Sequence, residues 1–419
     1  MIAAAMIIVM VPAGIFADDF VLGDVTGDKQ VTADDLTLLS RHVAKIEELT
    51  GDALAAADVN RDRQVDANDL TVMSRFVASI ILSFDEEAVY SEEDLAAAAA
   101  VDELIAAIQV QQRTDTTDED CAAAKAAWDA LTDDQKELVE EADYFGRDTG
   151  DAALDDPRNT DDIGEKEILV VSFGTSFNDS RVADIKSVED ALAAAYPDWS
   201  VRRAFTAQII INHVQARDNE KIDNVKQALD RAVKNGVKTL VVQPTHLMVG
   251  AEYNELVDEL ENYKSKIEQI FVAYPLLGPL GTSKVPLNAD KEAAAKAAVA
   301  AAIKASSYET LAAADADKTA IVFMGHGTSH EANATYTQMQ EQMTKLGYSN
   351  VFIGTVEGLP EETACDAVIA AVSAAGYTKV ILRPLMVVAG DHANNDMADE
   401  EDDESWVSMF KGKRQIHIR

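Results

Sequence analysis

The chain has 419 residues, 47% hydrophobic content and a formal net charge of −38, long enough for two to four domains with sizeable cores. Residues 1–165 carry 39 acidic and 11 basic side chains, against 35 and 25 in residues 166–419, so the acidity belongs mainly to the first part. That field excludes nucleic acid and anionic membrane surfaces as partners and suits bound cations and export.

Residues 1–17, Met1 to Ala17, are nearly all apolar and are followed at once by Asp18 and Asp19. They read as the core and small-residue end of a secretory signal peptide, cut after Ala17 and lacking a basic start. No other stretch is long and apolar enough to cross a bilayer, so no membrane span is expected after signal removal. The expected location is secreted or cell-surface. Cys121 and Cys365 lie far apart in the chain and do not form a disulfide framework, so two free thiols are expected.

Residues 20–82 hold a repeat with a 34-residue spacing. Oxygen-bearing side chains recur as Asp24, Thr26, Asp28, Gln30, Thr32 and Asp35, then as Asp58, Asn60, Asp62, Gln64, Asp66 and Asp69. These are positions 1, 3, 5, 7, 9 and 12 of a Ca²⁺ loop, where position 7 gives its carbonyl and a hard cation collects six or seven oxygens. Asp stands at position 12, and an apolar helix follows each loop, through Leu36, Leu38 and Leu39 and through Leu70, Val72, Met73 and Phe76. The pair closely resembles a type I dockerin module, with Thr26 departing from the usual Asn or Asp. The resemblance implies Ca²⁺-dependent docking to the cohesin module of a scaffolding or surface protein.

Residues 84–147 are rich in Ala, Glu and Asp, with apolar residues at helical spacing over 101–108 and 122–131. They predict a compact helical spacer module. Residues 148–165 are polar, contain Pro157 and show no period, which predicts a linker.

From Glu167 onward, strand and helix patterns alternate. Strands are expected at 168–173, 199–206, 239–246 and 270–275, with helices near 185–192, 219–235, 252–266 and 290–312. The pattern then restarts: 320–324 parallels 168–173, and Gly325-His326-Gly327-Thr328-Ser329 parallels Gly174-Thr175-Ser176. Further strands are expected at 351–358 and 379–388, with a helix at 361–375. The expected fold is multi-domain: an α/β part of two similar parallel-sheet halves, 166–285 and 286–419, with a cleft between them. It is preceded by the all-α Ca-binding module and the helical spacer.

His326, Glu357 and His392 fall at three successive strand ends of the second half, where open α/β sheets bind ligands. Two imidazoles and a carboxylate suit a divalent transition metal. Three protein ligands leave open positions, as in a working site, so metal-assisted hydrolysis is a rival chemistry at this stage. His246, in the facing half, is either a second catalytic histidine or a turn residue. His330 and His213 read as peripheral. Arg203 is expected either to fork onto a substrate carboxylate or to sit in a surface ion pair.

The motifs Leu169–Ser176, Arg203-Ala-Phe-Thr206, Gln243-Pro-Thr-His246 with Glu252-Tyr253, Met324–Thr328 and Pro384–Met397 strongly resemble the sirohydrochlorin cobaltochelatase family of the anaerobic cobalamin pathway, a class II chelatase fold. The resemblance covers about residues 166–410. It puts the metal-binding residues on His326, Glu357 and His392, and implies insertion of Co²⁺ into a tetrapyrrole without ATP, with Fe²⁺ or Ni²⁺ as other metals. Gly174, Thr175 and Ser176 would line the ring's edge. The family continues with a further strand and helix where this chain ends in a basic tail at Arg419, so a truncated closing element is expected. The alternatives are an exported metal- or haem-type tetrapyrrole-binding protein without turnover, an iron chelatase, and an accessory to polysaccharide breakdown.

Overall fold

A computed structural model describes residues 21–61, 64–78, 84, 92–146, 150–282, 284–412 and 417–418. The signal-like segment 1–17 and Asp62 of the second Ca²⁺ loop lie outside the described residues. The chain divides into two compact units, one of residues up to Asp102 with 130–140, the other of Glu103–Asp129 with everything from Glu141.

In the first unit, helices Ala33–Val43 and Ala67–Val77 follow the two loops. Each opens with a capping box, Thr32 with Asp35 and Asp66 with Asp69, that satisfies two orphan backbone N–H groups. Asp35 is fully buried and accepts hydrogen bonds from the backbone N–H groups of Thr26 and Thr32, both at 2.8 Å. Burial pushes its carboxyl up, but those bonds outweigh it and hold the group below the usual range. Asp24 accepts from the N–H groups of Asp28 and Lys29, so the loop wraps round its own first carboxylate. Val25, Leu39, Leu49, Val59, Val72 and Met73 form the core beneath.

The second unit holds two four-stranded, all-parallel sheets. The first contains β1 (Lys166–Ser172), β2 (Ser200–Phe205), β3 (Thr239–Pro244) and β4 (Gln269–Val272), in the order β2-β1-β3-β4. The second contains β5 (Thr319–Gly325), β6 (Val351–Thr355), β7 (Lys379–Pro384) and β8 (His417–Ile418), in the order β6-β5-β7-β8. The central strands β1 and β5 are buried from end to end apart from Lys166, as parallel strands covered on both faces must be. The registers repeat too: Val171 of β1 faces Pro244 of β3, and Met324 of β5 faces Pro384 of β7. Within each sheet the strand order reverses at the central strand, with the second strand on one side and the third on the other, which opens a crevice at those strands' carboxyl ends.

Three expectations change. The Ala-rich helix expected over 290–312 is two helices, Ala289–Lys304 and Leu311–Ala316. Between them the Ser306 hydroxyl oxygen accepts from the Tyr308 N–H, and Thr310 caps the second helix. The helical stretch 84–147 does not stand as one spacer, because residues 103–129 and those from 141 cluster with the α/β part. They pack on helix Gln208–Asp218, where Asn212 donates to the Ile108 carbonyl and Gln215 to Asp118. The expected linker is fastened down as well: the Asp155 side chain is fully buried between Arg181 and Arg203. Cys121 and Cys365 form no disulfide, as expected.

His213, on that same helix, stacks under Tyr144 with ring centroids 3.9 Å apart and donates from Nε2 to the Tyr144 carbonyl at 2.8 Å. Burial, reinforced by the Arg217 charge, lowers its pKa to about 4. The unfolded chain therefore binds this proton from about pH 6.5 downward while the folded chain resists it until about 4. Its stabilising contribution is complete above the unfolded value and is lost as pH falls through that window. In urea titrations, the stability of the parent relative to a His213→Phe variant is expected to grow by roughly 3 kcal/mol as pH rises from 4 to 6.5; a pH-independent difference would refute this.

Candidate metal centre

The loops that leave β1, β3, β5, β6 and β7 meet at one cavity of about 600 Å³ between the two halves. The first half contributes Phe173 to Phe177, Ile210 and the stretch from Thr245 to Tyr253, among others. The second contributes His326 to Ser329, Glu357, Leu385 to Val388, Asp391 and His392. Among the described residues, no lysine or arginine lines the cavity.

His326 directly follows β5. Its Nδ1 lies 2.7 Å from the Gly327 carbonyl oxygen. A carbonyl only accepts, so Nδ1 carries the proton and Nε2 keeps its lone pair. Gly327 has φ +94°, and a Cβ there would stand 2.7 Å from the Glu357 Cβ, so only glycine lets the two strand ends close up. Its N–H donates to the Tyr336 hydroxyl at 3.1 Å, which fixes the turn. His392 lies in the short helix Asp391–Asn394 after β7, with Nδ1 2.7 Å from Asp396 Oδ2. That carboxylate sets the same tautomer, again leaving Nε2 as the free donor atom. The two imidazole rings meet edge to face with centroids 4.4 Å apart.

Glu357 lines the same cavity, and its N–H donates to the His326 carbonyl. The full trio is not a tight cluster: among the described residues, the group with ligand atoms all within 4.8 Å of one another is Asp391, His392 and Asp396. The two imidazoles are adjacent, and Glu357 lines the same cavity. His246 faces them from the first half. Its side chain is 8% exposed, and its Nε2 lies 3.3 Å from Glu252 Oε2 without hydrogen-bond alignment. Gly174, Thr175 and Ser176 form part of the cavity lip; the Ser176 carbonyl is held from behind by Arg181 and Arg217. His330 is peripheral, accepting the Ala332 N–H at a helix start.

Arg203 requires a correction. It is fully buried and is not part of the cavity. Nε and Nη2 bond Glu189 at 2.8 and 2.9 Å, and Nη1 and Nη2 bond Asp155 at 2.6 and 2.8 Å. Two bidentate carboxylate pairs use its whole fork, leaving nothing for a substrate. Asp396 and Glu252, the partners of His392 and His246, are site residues that strand-end reasoning does not reach. Both do fall inside the motifs quoted above, Glu252 beside Tyr253 and Asp396 within Pro384–Met397.

A cleft between two parallel-sheet halves that presents paired imidazoles to a mainly apolar cavity suits a divalent metal ion beside a large apolar ligand. Residues 166–416 match the family described as cobalt chelatase (CbiK), and residues 22–78 match the dockerin type I domain. The chain belongs to the cobalt chelatase family, with a dockerin type I domain ahead of it. Among relatives, a sirohydrochlorin cobaltochelatase of Salmonella typhimurium is 34% identical, over 59% of this chain and 84% of its own length. Sirohydrochlorin cobaltochelatase CbiKC of Nitratidesulfovibrio vulgaris is 30% identical, over 59% of this chain and 80% of its own. The solved structure of SirB from Bacillus subtilis with Fe³⁺ aligns at 15% identity and TM-score 0.39, over 61% of this chain and 87% of that one. No described helix is long and apolar enough to cross a membrane.

Proposed function

We propose that this chain inserts Co²⁺ into a sirohydrochlorin-type tetrapyrrole without ATP, at the cavity between its two halves. The observation that carries this reading is the adjacent pair His326 and His392, each with Nδ1 engaged so that Nε2 is the donor atom left for an ion. Such a pair takes a divalent ion without first losing a proton, and the Glu357 carboxylate, in the same cavity, offsets part of the ion's charge. The macrocycle rests on the apolar lining of Ile210, Leu247, Met248, Leu385 and Val388. With no cation in the lining and Glu252, Glu357 and Asp391 present, the ring's own carboxylates face the mouth and water. Two pyrrole protons must leave as the ion enters, and a neutral imidazole accepts them near neutral pH. His246, across the cavity from the metal pair, and the pair itself are the groups available.

The test is to mix the full chain with sirohydrochlorin and Co²⁺ and follow the visible spectrum. Conversion faster than the uncatalysed rate supports the reading. Ring binding without released product would make the chain a tetrapyrrole-binding protein instead. Fe²⁺ and Ni²⁺ in parallel assays rank the metals.

The dockerin domain holds the enzyme to a cohesin-bearing partner outside the cell, with Ca²⁺ at Asp24, Thr26, Asp28, Gln30, Thr32 and Asp35 and at the matching second loop. The ion offsets the repulsion of carboxylates gathered at each loop. Stripping calcium with EDTA is expected to lower the domain's melting temperature and abolish binding to a type I cohesin, with excess Ca²⁺ restoring both. Calorimetry and a pull-down check this; unchanged melting in EDTA would count against calcium loading.

A further inference from the structure

His326 and His392 are fixed by different parts of the molecule. His326 is held within the second half, by the Gly327 carbonyl and the packing of Gly327 on Glu357 and Thr355. The segment leading to His392 leaves β7 of the second half but docks on the first. Val388 packs on the first-half cluster of Ile185, Phe205, Ile211, Val214 and Ile222. Both backbone groups of Ala389 are then taken by first-half side chains. The Ser180 hydroxyl donates to the Ala389 carbonyl at 2.6 Å, and Asp184 Oδ2 accepts the Ala389 N–H at 2.8 Å. At Gly390 a Cβ would stand 2.8 Å from Thr175 Oγ1, so the backbone lies directly against the cavity lip.

The anchoring element is itself rigid. Ser180 ends the turn Asn178–Ser180, and Asp184 lies in the π-helical stretch Arg181–Lys186 that continues it. Wide turns of this kind recur at functional sites because they re-aim side chains within a helix. Arg181, fully buried, ties the stretch down through Asp155 at 3.0 Å, Asn178 at 2.6 Å and Glu220 at 3.1 Å.

We propose that Ser180 and Asp184 are positioning residues for chelation: by pinning Ala389 from across the cleft, they set where His392 stands relative to His326. This rests on the reading that the two histidines take the incoming ion. The pin touches neither ion nor ring; it acts through three residues of backbone. Slackening it lets His392 drift, which weakens a two-nitrogen site far more than it weakens an apolar ring pocket.

The experiment titrates Co²⁺ into the full-length parent and the Ser180→Ala, Asp184→Ala, Asp184→Asn and His392→Ala variants, reading the visible ligand-field bands, then measures turnover. Asp184→Ala is expected to raise the Co²⁺ Kd about 10-fold and to lower kcat, with KM for sirohydrochlorin unchanged. Asp184→Asn is expected to recover most of the loss, because its amide oxygen accepts the same N–H. Ser180→Ala is expected to cost about threefold, and it carries the test alone should Asp184→Ala fail to fold. Parent-like Kd and bands in Asp184→Ala, or in Ser180→Ala where that variant stands alone, overturn the proposal; so does an Asn variant no better than Ala. Parent bands identical to those of His392→Ala overturn instead the metal-site reading beneath it.

Discussion

Alanine at His392 is expected to slow cobalt insertion by about 10²–10⁴-fold while leaving the circular dichroism and melting temperature close to the parent's. The reason for the asymmetry is position. The His392 side chain is 38% exposed in a short helix at the cavity wall, so its removal opens no void in a core and strands only Asp396, which is 41% exposed and free to take up water. What is lost is one of two adjacent nitrogen donors. His326→Ala should do the same, and the double variant should be scarcely worse than either single one, because residues that act as a unit do not add. Initial rates from the visible spectrum decide this. A His392→Ala enzyme within tenfold of the parent would mean that the pair is not the chemical centre.

Arg203→Ala is expected to show the opposite pattern, a collapse of stability with little change in substrate affinity. Removing the guanidinium leaves Glu189 and Asp155 buried with only Arg158 and Arg181 to face them. Breaking a buried pair from one side costs about 3–5 kcal/mol, and the partners that remain place this case near about 3. Burial would push the Asp155 carboxyl up, but the Arg203 bonds overcome it and hold the group below its usual range. Among the described residues, Arg203 is the one cation that bonds both buried carboxylates. Urea unfolding measures the loss. Sirohydrochlorin binding by the protein that remains folded separates the two roles of arginine: weakened binding at parent-like stability would restore Arg203 as a substrate contact.

What could be read in the sequence follows from how strongly each feature writes itself into residue pattern. The two central strands carry the apolar runs Ile168–Val171 and Ala320–Met324, and both lie within two residues of the expected bounds. His326 and His392 were legible for the same reason, since each directly follows a strand or strand-end loop of that kind. Helix Gln208–Asp218 was missed because its buried face is polar: Gln208, Asn212 and Gln215 are buried beside Ile211 and Val214. Hydropathy period cannot register a face that packs through hydrogen bonds. The segment 148–165 looked like a linker because its anchors are single carboxylates whose partners lie from 26 to 73 residues away, such as Asp155 with Arg181 and Asp161 with Lys234. Arg203 is neither the substrate contact nor the surface ion pair expected, because Glu189 and Asp155, distant in sequence, enclose it in a buried network.

The two halves share a plan but differ in what they bring to the cleft. The loop after β1 offers glycine, threonine and serine where the loop after β5 offers a histidine. On the function proposed above, the histidine-bearing half holds the ion, and apolar residues of both halves seat the macrocycle. Redesign for a different pigment should accordingly begin at Leu247, Met248 and Tyr253, which line the cavity from the half without the metal pair, and should leave the choice of ion where it was.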